Sequence, residues 1–113
     1  MSWTEFRSGN NLGRSKGLPL MRVREEFIHL NREALALIDD PAFVVLAYDP
    51  IAGKIGIRPA LPDDAPYAFK VSQQRGMRGG VRCRQFIHQY ALQPANLGVR
   101  LEAPFLVARV LFK

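Results

Sequence analysis

Cysteine is almost absent from the 113-residue chain, which contains a single one, Cys83. A lone cysteine excludes an internal disulfide framework and any zinc site that needs several thiolates. Long apolar runs are missing as well: none approaches the roughly 18 residues that a membrane span requires. The N-terminus lacks the basic-then-apolar pattern of a signal peptide. We therefore expect a cytoplasmic protein that makes no contact with a membrane.

Acidic residues are scarce at both ends of the chain. Residues 1–24 hold five basic residues and one acid. Residues 25–66 hold three basic residues and eight acids, and residues 67–113 hold eight basic residues and one acid. Clustered lysine and arginine favour a polyanionic partner, because they displace the counterions of phosphates. Nucleic acid is the first candidate partner and an acidic protein is the second. The acidic middle also allows pairing with the basic ends, within one fold or across a dimer.

The composition is that of one small globular domain. Hydrophobic residues make up 48% of the chain and charged residues 23%, which excludes wholesale disorder. A chain of this length buries about two-thirds of its unfolded surface, enough for one core. We expect three parts: a flexible basic arm at residues 1–20, a strand–helix–hairpin unit at residues 21–60, and a basic C-terminal half at residues 61–113 packed in the same domain.

The pattern predicts the α+β class, with two short helices on a small, mainly antiparallel sheet. Asn31 is a good N-cap for the first helix, and Pro41 ends it because the residue before proline avoids helical backbone. Apolar alternation predicts the strands, and apolar residues at helical spacing predict the second helix. The predicted order is extended chain at 20–30, helix from 31, a hairpin at 43–48 and 54–58, a proline-rich linker at 59–66, a strand at 67–71, a loop at 72–80, a helix at 84–92, a break at 94–98, and strands at 99–103 and 105–112.

The elements of residues 21–60 follow one another as basic strand, short helix, strand, turn and strand, in the runs Arg22–Leu30, Asn31–Leu35, Phe43–Tyr48 and Lys54–Arg58. This order resembles the SpoVT-AbrB domains, the swapped-hairpin DNA-binding fold of bacterial transition-state regulators and antitoxins. The resemblance implies a homodimer of interleaved chains that binds DNA, with Arg22 and Arg24 on the basic first strand. This chain has Asn31 where the family has proline. A weaker likeness links the Arg-Gly-rich region to Whirly-like single-stranded DNA binders.

The segment from Gln73 to Arg84 is rich in glycine and arginine. Glycine allows a ligand to approach the backbone closely, and the arginine fork matches phosphate oxygens. The alternatives are binding of another anion, or a loop that its arginines keep soluble. Tyr67, Phe69 and Tyr90 offer faces on which bases stack. The candidate nucleic-acid-binding residues are therefore Arg22, Arg24, Arg75, Arg78, Arg82 and Arg84.

Catalytic and metal-binding patterns are weak. Cys83 and His88 are five residues apart, and no third group nearby completes a nucleophilic site. Paired acids such as Glu25 and Glu26 point to opposite faces of a strand, so they cannot readily share a proton. We therefore expect no enzyme, no cofactor and no metal, with a small enzyme of unrecognised site as the third hypothesis.

The function that the sequence favours is that of a small nucleic-acid-binding protein, with transcription regulation as a candidate role and DNA favoured over RNA. A protein-binding accessory module, related to phage or to defence systems, is the alternative. Its basic surface would then meet an acidic protein partner. Because a forty-residue hairpin–helix unit has little core of its own, we also expect a homodimer.

Overall fold

The structure of the protein, a computed structural model, describes residues 17–110. The expected α+β class with a mainly antiparallel sheet is confirmed in outline, although the sheet outweighs the two six-residue helices. In chain order the elements of this part of the chain are β1 (Leu20–Val23), β2 (Phe27–Leu30), α1 (Arg32–Leu37), β3 (Phe43–Asp49), β4 (Lys54–Pro59), a 3-10 helix (Pro62–Tyr67), β5 (Phe69–Lys70), β6 (Gly80–Arg82), α2 (Arg84–Gln89), β7 (Ala95–Glu102) and β8 (Phe105–Arg109).

The eight strands of residues 17–110 belong to one antiparallel sheet, in the order β5-β3-β4-β8-β7-β1-β2-β6. The two edges of this sheet approach each other, since Val71, just after β5, forms an antiparallel bridge with Val81 of β6. The Ser72 N–H also donates to the Gly80 carbonyl at 2.9 Å. The sheet is thereby curled nearly into a barrel, with one buried interior and a convex outer face.

The interior of this near-barrel is filled by every second residue of its strands, because side chains alternate between the two faces. Met21 and Val23 of β1 are fully or almost fully buried, as are Ile28 and Leu30 of β2. Arg22, which lies between the first two, is exposed. The buried apolar side chains form one continuous core. The residues between them point outward, and strand register decides which of those meet.

The two helices leave the sheet at opposite ends. α1 follows β2 and α2 follows β6, and these two neighbouring strands are antiparallel. α1 buries Ala34 and Leu35 in the core, and α2 buries Ile87. The predicted cap of α1 is confirmed, since Asn31 Oδ1 accepts a hydrogen bond from the Ala34 N–H at 3.0 Å. This cap fixes the point where the chain turns from β2 into α1.

Some predicted boundaries are wrong. Leu20, placed both at the end of the arm and at the start of the extended segment, is the first residue of β1 and pairs with Gly98, as the second assignment predicts. The predicted break at 94–98 contains the start of β7, in which Asn96 and Gly98 are exposed and the residues between them face the core. The polar outward residues hid the strand pattern there. Residues 1–16 of the predicted arm and residues 111–112 of the last predicted strand lie outside the described residues.

The strands of the two predicted halves are interleaved in the sheet. β7 and β8, from the C-terminal half, lie between β1 and β4. The hairpin of β3 and β4 is as predicted, with Tyr48 opposite Ile55. The unit at residues 21–60 therefore has no continuous sheet of its own, and strands of the same chain complete the core.

Candidate nucleic-acid interface

Three arginines lie on the outer face of β1, β2 and β6. Arg22 pairs with Asn96 of β7 on one side and with His29 of β2 on the other. Directly paired residues of antiparallel strands share a face, so the side chains of Arg22, His29 and Asn96 all point outward. One row further along, Phe27 of β2 pairs with Arg82 of β6. We call this surface the basic face; it consists of Arg22, Arg24, Phe27, His29, Arg82 and Asn96.

Arg24 joins the basic face through its side chain. Its guanidinium donates to Asn96 Oδ1 at 3.1 Å and to the Val23 carbonyl at 2.9 Å. Its backbone N–H donates to the Phe27 carbonyl at 2.9 Å, which closes the turn between β1 and β2. Arg24 is thus held beside Arg22, in the row that contains Phe27, and its acceptors there are neutral oxygens.

Phe27 lies on the outer face of β2, beside Arg82 and outside the core. It is half-buried on the outer face, and it is absent from the partly buried apolar side chains that pack against the core. Arg82 of β6 pairs with Phe27 on one side, and Arg24, the residue after β1, lies opposite it on the other. Within residues 17–110, none of the ion pairs involves Arg22, Arg24 or Arg82. The face therefore combines one aromatic ring with guanidinium groups that pair with no carboxylate of residues 17–110.

His29 connects the basic face to the loop at residues 72–79. Its Nε2 donates to the Arg78 carbonyl at 2.9 Å, because a carbonyl only accepts. Its Nδ1 is buried and has no hydrogen-bond partner among the described residues. The loop itself is tied down by backbone hydrogen bonds, with the Gly79 N–H on the Ser72 carbonyl at 2.9 Å. The imidazole therefore helps to hold the loop against β2.

The other three candidate arginines lie away from this cluster. Arg75 is exposed in the loop, and the exposed Arg84 is the first residue of α2. Arg78 forms an ion pair with Asp40. Phosphate contact by Arg78 stays a prediction, and it requires exchange of that carboxylate for a phosphate. The structure therefore brings Arg22, Arg24 and Arg82 together, and it places Arg84 on the helix that follows.

The predicted stacking residues are placed elsewhere. Phe69 and Tyr90 pack against the core, and Tyr90 lies 4.7 Å from Tyr48 between ring centroids. Tyr67 is 73% exposed at the end of the 3-10 helix. Sequence reasoning missed Phe27, because an aromatic residue in an apolar run is typical of a core strand. The burial of Ile28 and Leu30 on either side of His29 is what turns Phe27 outward.

Groups that could support chemistry are sparse in the described part of the chain. Burial raises the pKa of the Cys83 thiol to about 11, so the thiol is protonated at neutral pH. Among residues 17–110, no group of three or more His, Cys, Asp or Glu side chains is placed to hold a metal ion. No helix of those residues is long and apolar enough to cross a membrane.

No protein-family model matches the chain, and neither a curated protein nor a solved structure similar to it was found. The likeness to the SpoVT-AbrB domains therefore rests on the order of elements in residues 21–60 and on Arg22 and Arg24 alone.

Proposed function

We propose that the protein binds nucleic acid through the basic face. The observation that carries this proposal is the strand register, which puts Arg22 and Arg82 on one face, diagonally across β2. Neither forms an ion pair among the described residues. Guanidinium groups offer forked donors that match phosphate oxygens, and the phosphate backbone supplies most of the affinity in such complexes. Arg84 extends the positive charge onto α2.

In keeping with the resemblance, DNA is the proposed ligand ahead of RNA, and regulation of transcription is the proposed role. A homodimer also stays a proposal. Because β7 and β8 of one chain already lie between β1 and β4, a second copy would add an interface rather than complete the core. Sedimentation at micromolar concentrations tests the dimer, since a monomer mass throughout would reject it.

The salt dependence of binding tests the basic face. The variant Arg22→Ala/Arg24→Ala/Arg82→Ala is compared with the parent chain on a labelled DNA duplex and on a labelled single strand. Each lost phosphate contact lowers the slope of log affinity against log salt by about 0.9 on duplex and about 0.7 on single strands. Loss of all three arginine contacts should therefore lower the slope by about 2.7 on the duplex and by about 2.1 on the single strand.

A matched control removes the same charge elsewhere. Arg32, Lys70 and Arg109 are exposed and lie on α1, β5 and β8, off the basic face. Their joint replacement by alanine leaves the same net charge, so the control should keep most of the slope. Equal slopes in the two triple variants would mean that only total charge matters. An unchanged slope in the first variant would favour the alternative, an acidic protein partner.

A further inference from the structure

We infer that the nucleic acid bound by the basic face is single-stranded, with one base stacked on Phe27. This inference rests on the proposed function and names its substrate class. It begins from the position of Phe27, which is half-buried on the convex side of the sheet and takes no part in the core. A ring at such a place stabilises the interior little, but its exposed side is available to a ligand.

The neighbours of Phe27 fit a nucleotide rather than an apolar ligand. Arg82 of β6 pairs with Phe27 at a backbone spacing of about 4.8 Å. Arg24, the residue after β1, lies opposite Phe27 on the other side, and its guanidinium reaches away to Asn96 of β7. Arg22 lies two residues before Arg24 on the same side of β1, about 7 Å along the strand. The exposed part of the ring offers a stacking surface for a base, and the guanidinium groups of Arg82 and Arg22 on the same face offer donors for the phosphates before and after it. This combination is typical of single-strand binding.

The shape of the basic face disfavours a duplex. The major groove is about 12 Å wide and admits a helix or a two-stranded ribbon. The face belongs to four adjacent strands, β7, β1, β2 and β6, whose backbones span about 14 Å before side chains are added. It is also convex, because the interior of the curled sheet lies on its other side. A base inside a duplex cannot reach Phe27, whereas an unpaired base can lie flat on it.

The exposed side of α2 is the competing site for a duplex. It carries Arg84, Gln85, His88 and Gln89 around a surface recess, and arginine and glutamine are residue types that read bases in the major groove. A six-residue helix is only about 9 Å long, however, and carries no aromatic residue on this side. The test therefore includes a variant of this helix.

The experiment measures binding of labelled oligonucleotides by fluorescence anisotropy at one fixed salt concentration. The probes are dT12, rU12 and a 12-base-pair DNA duplex, and the variants are Phe27→Tyr, Phe27→Leu and Arg84→Ala/Gln85→Ala. Leucine preserves apolar bulk without a π face, so Phe27→Leu should weaken single-strand binding by about 5- to 150-fold, the range for one lost base stack. Phe27→Tyr should bind the probes as the parent does. The parent should bind the duplex more weakly than it binds dT12 or rU12.

Each outcome decides the inference. If Phe27→Leu binds dT12 and rU12 as the parent does, or if the duplex binds best and depends on Arg84 and Gln85, the inference is wrong. The triple arginine variant on the same probes keeps the two proposals apart, because its loss of binding supports the basic face whatever Phe27 does. Comparison of dT12 with rU12 identifies which single strand is the better ligand. Thermal unfolding of each variant confirms that it is folded before binding is compared.

Discussion

Gly79 should be the least replaceable glycine of the loop that lies against the basic face. It has a φ of +89°, a conformation that costs any L side chain about 1–2 kcal/mol. A Cβ built on Gly79 would overlap the carbonyl oxygen of Leu30 and lie 3.3 Å from Leu35 Cδ1. The obstacle is backbone of a buried strand, which cannot move aside as a flexible side chain does. Gly79→Ala must therefore displace the loop from β2.

That displacement has a cost that can be worked out from the hydrogen bonds it breaks. The Leu30 N–H donates to the Gly79 carbonyl, and the Gly79 N–H donates to the Ser72 carbonyl, both at 2.9 Å. Each such bond contributes about 1 kcal/mol net. With the backbone strain added, Gly79→Ala should lower the free energy of unfolding by about 3–4 kcal/mol.

Gly76 provides the matched control in the same loop. Its φ is +85°, nearly that of Gly79, but a Cβ there would meet nothing within 4 Å. Gly76→Ala should therefore cost only the strain, about 1–2 kcal/mol. Urea unfolding with equal m-values measures both, and a difference of about 2 kcal/mol corresponds to roughly 8 °C in Tm. Equal losses for the two variants would refute the close approach of Gly79 to Leu30.

Two further predictions concern single side chains. The hydrogen bond from Arg58 lowers the pKa of Asp64 to about 2 from an ordinary 3.8. The ion pair therefore stabilises the folded protein fully at pH values above 3.8, and this stabilisation is lost as the pH falls through about 2. The gap in urea midpoint between the parent and Asp64→Asn should therefore close on acidification, and a constant gap would contradict this. Cys83 should react with a thiol-specific reagent at pH 8 only as the protein unfolds, since burial raises its pKa to about 11.

Much of the local structure could be predicted from the sequence, because it depends on neighbouring residues. The cap at Asn31 satisfies an N–H three residues away, and the hairpin of β3 and β4 joins two alternating runs across a short turn. The sheet order could not be predicted in this way. β7 pairs with β1 and with β8 across very different sequence separations. The alternation of apolar and polar residues along a strand is the same whichever strand is its neighbour, so it does not reveal the pairing.

The candidate site was predicted in part for the same reason. Charge clustering identified Arg22, Arg24 and Arg82 as candidates, but only register shows that they share a surface. Phe27 was missed because an aromatic residue followed by Ile28 has the composition of a core strand. The partner of Arg78 is Asp40, which is 38 residues distant in the chain. No local pattern contains that information.

The ion pairs of residues 17–110 all lie away from the basic face. Asp64 pairs with Arg58, Asp40 pairs with Arg78, and Glu102 lies within ion-pair distance of both Arg100 and Lys54. These acids are thus engaged elsewhere, and the nearest acids in sequence to the basic face, Glu25 and Glu26, form no ion pair among the described residues.

Neighbouring like charges on adjacent strands stabilise nothing and repel weakly, with solvent and salt screening the repulsion over about 10 Å at 0.1 M. Arg24 stabilises the fold through its two side-chain hydrogen bonds, whereas the side chains of Arg22 and Arg82 form no hydrogen bond or ion pair among the described residues. Arg24→Ala should lower the free energy of unfolding by about 1 kcal/mol for each hydrogen bond lost. The joint replacement of Arg22 and Arg82 by alanine should instead leave it within about 0.5 kcal/mol per site or raise it. A loss of nucleic-acid binding in that variant would then report a lost contact, because unfolding would not explain it.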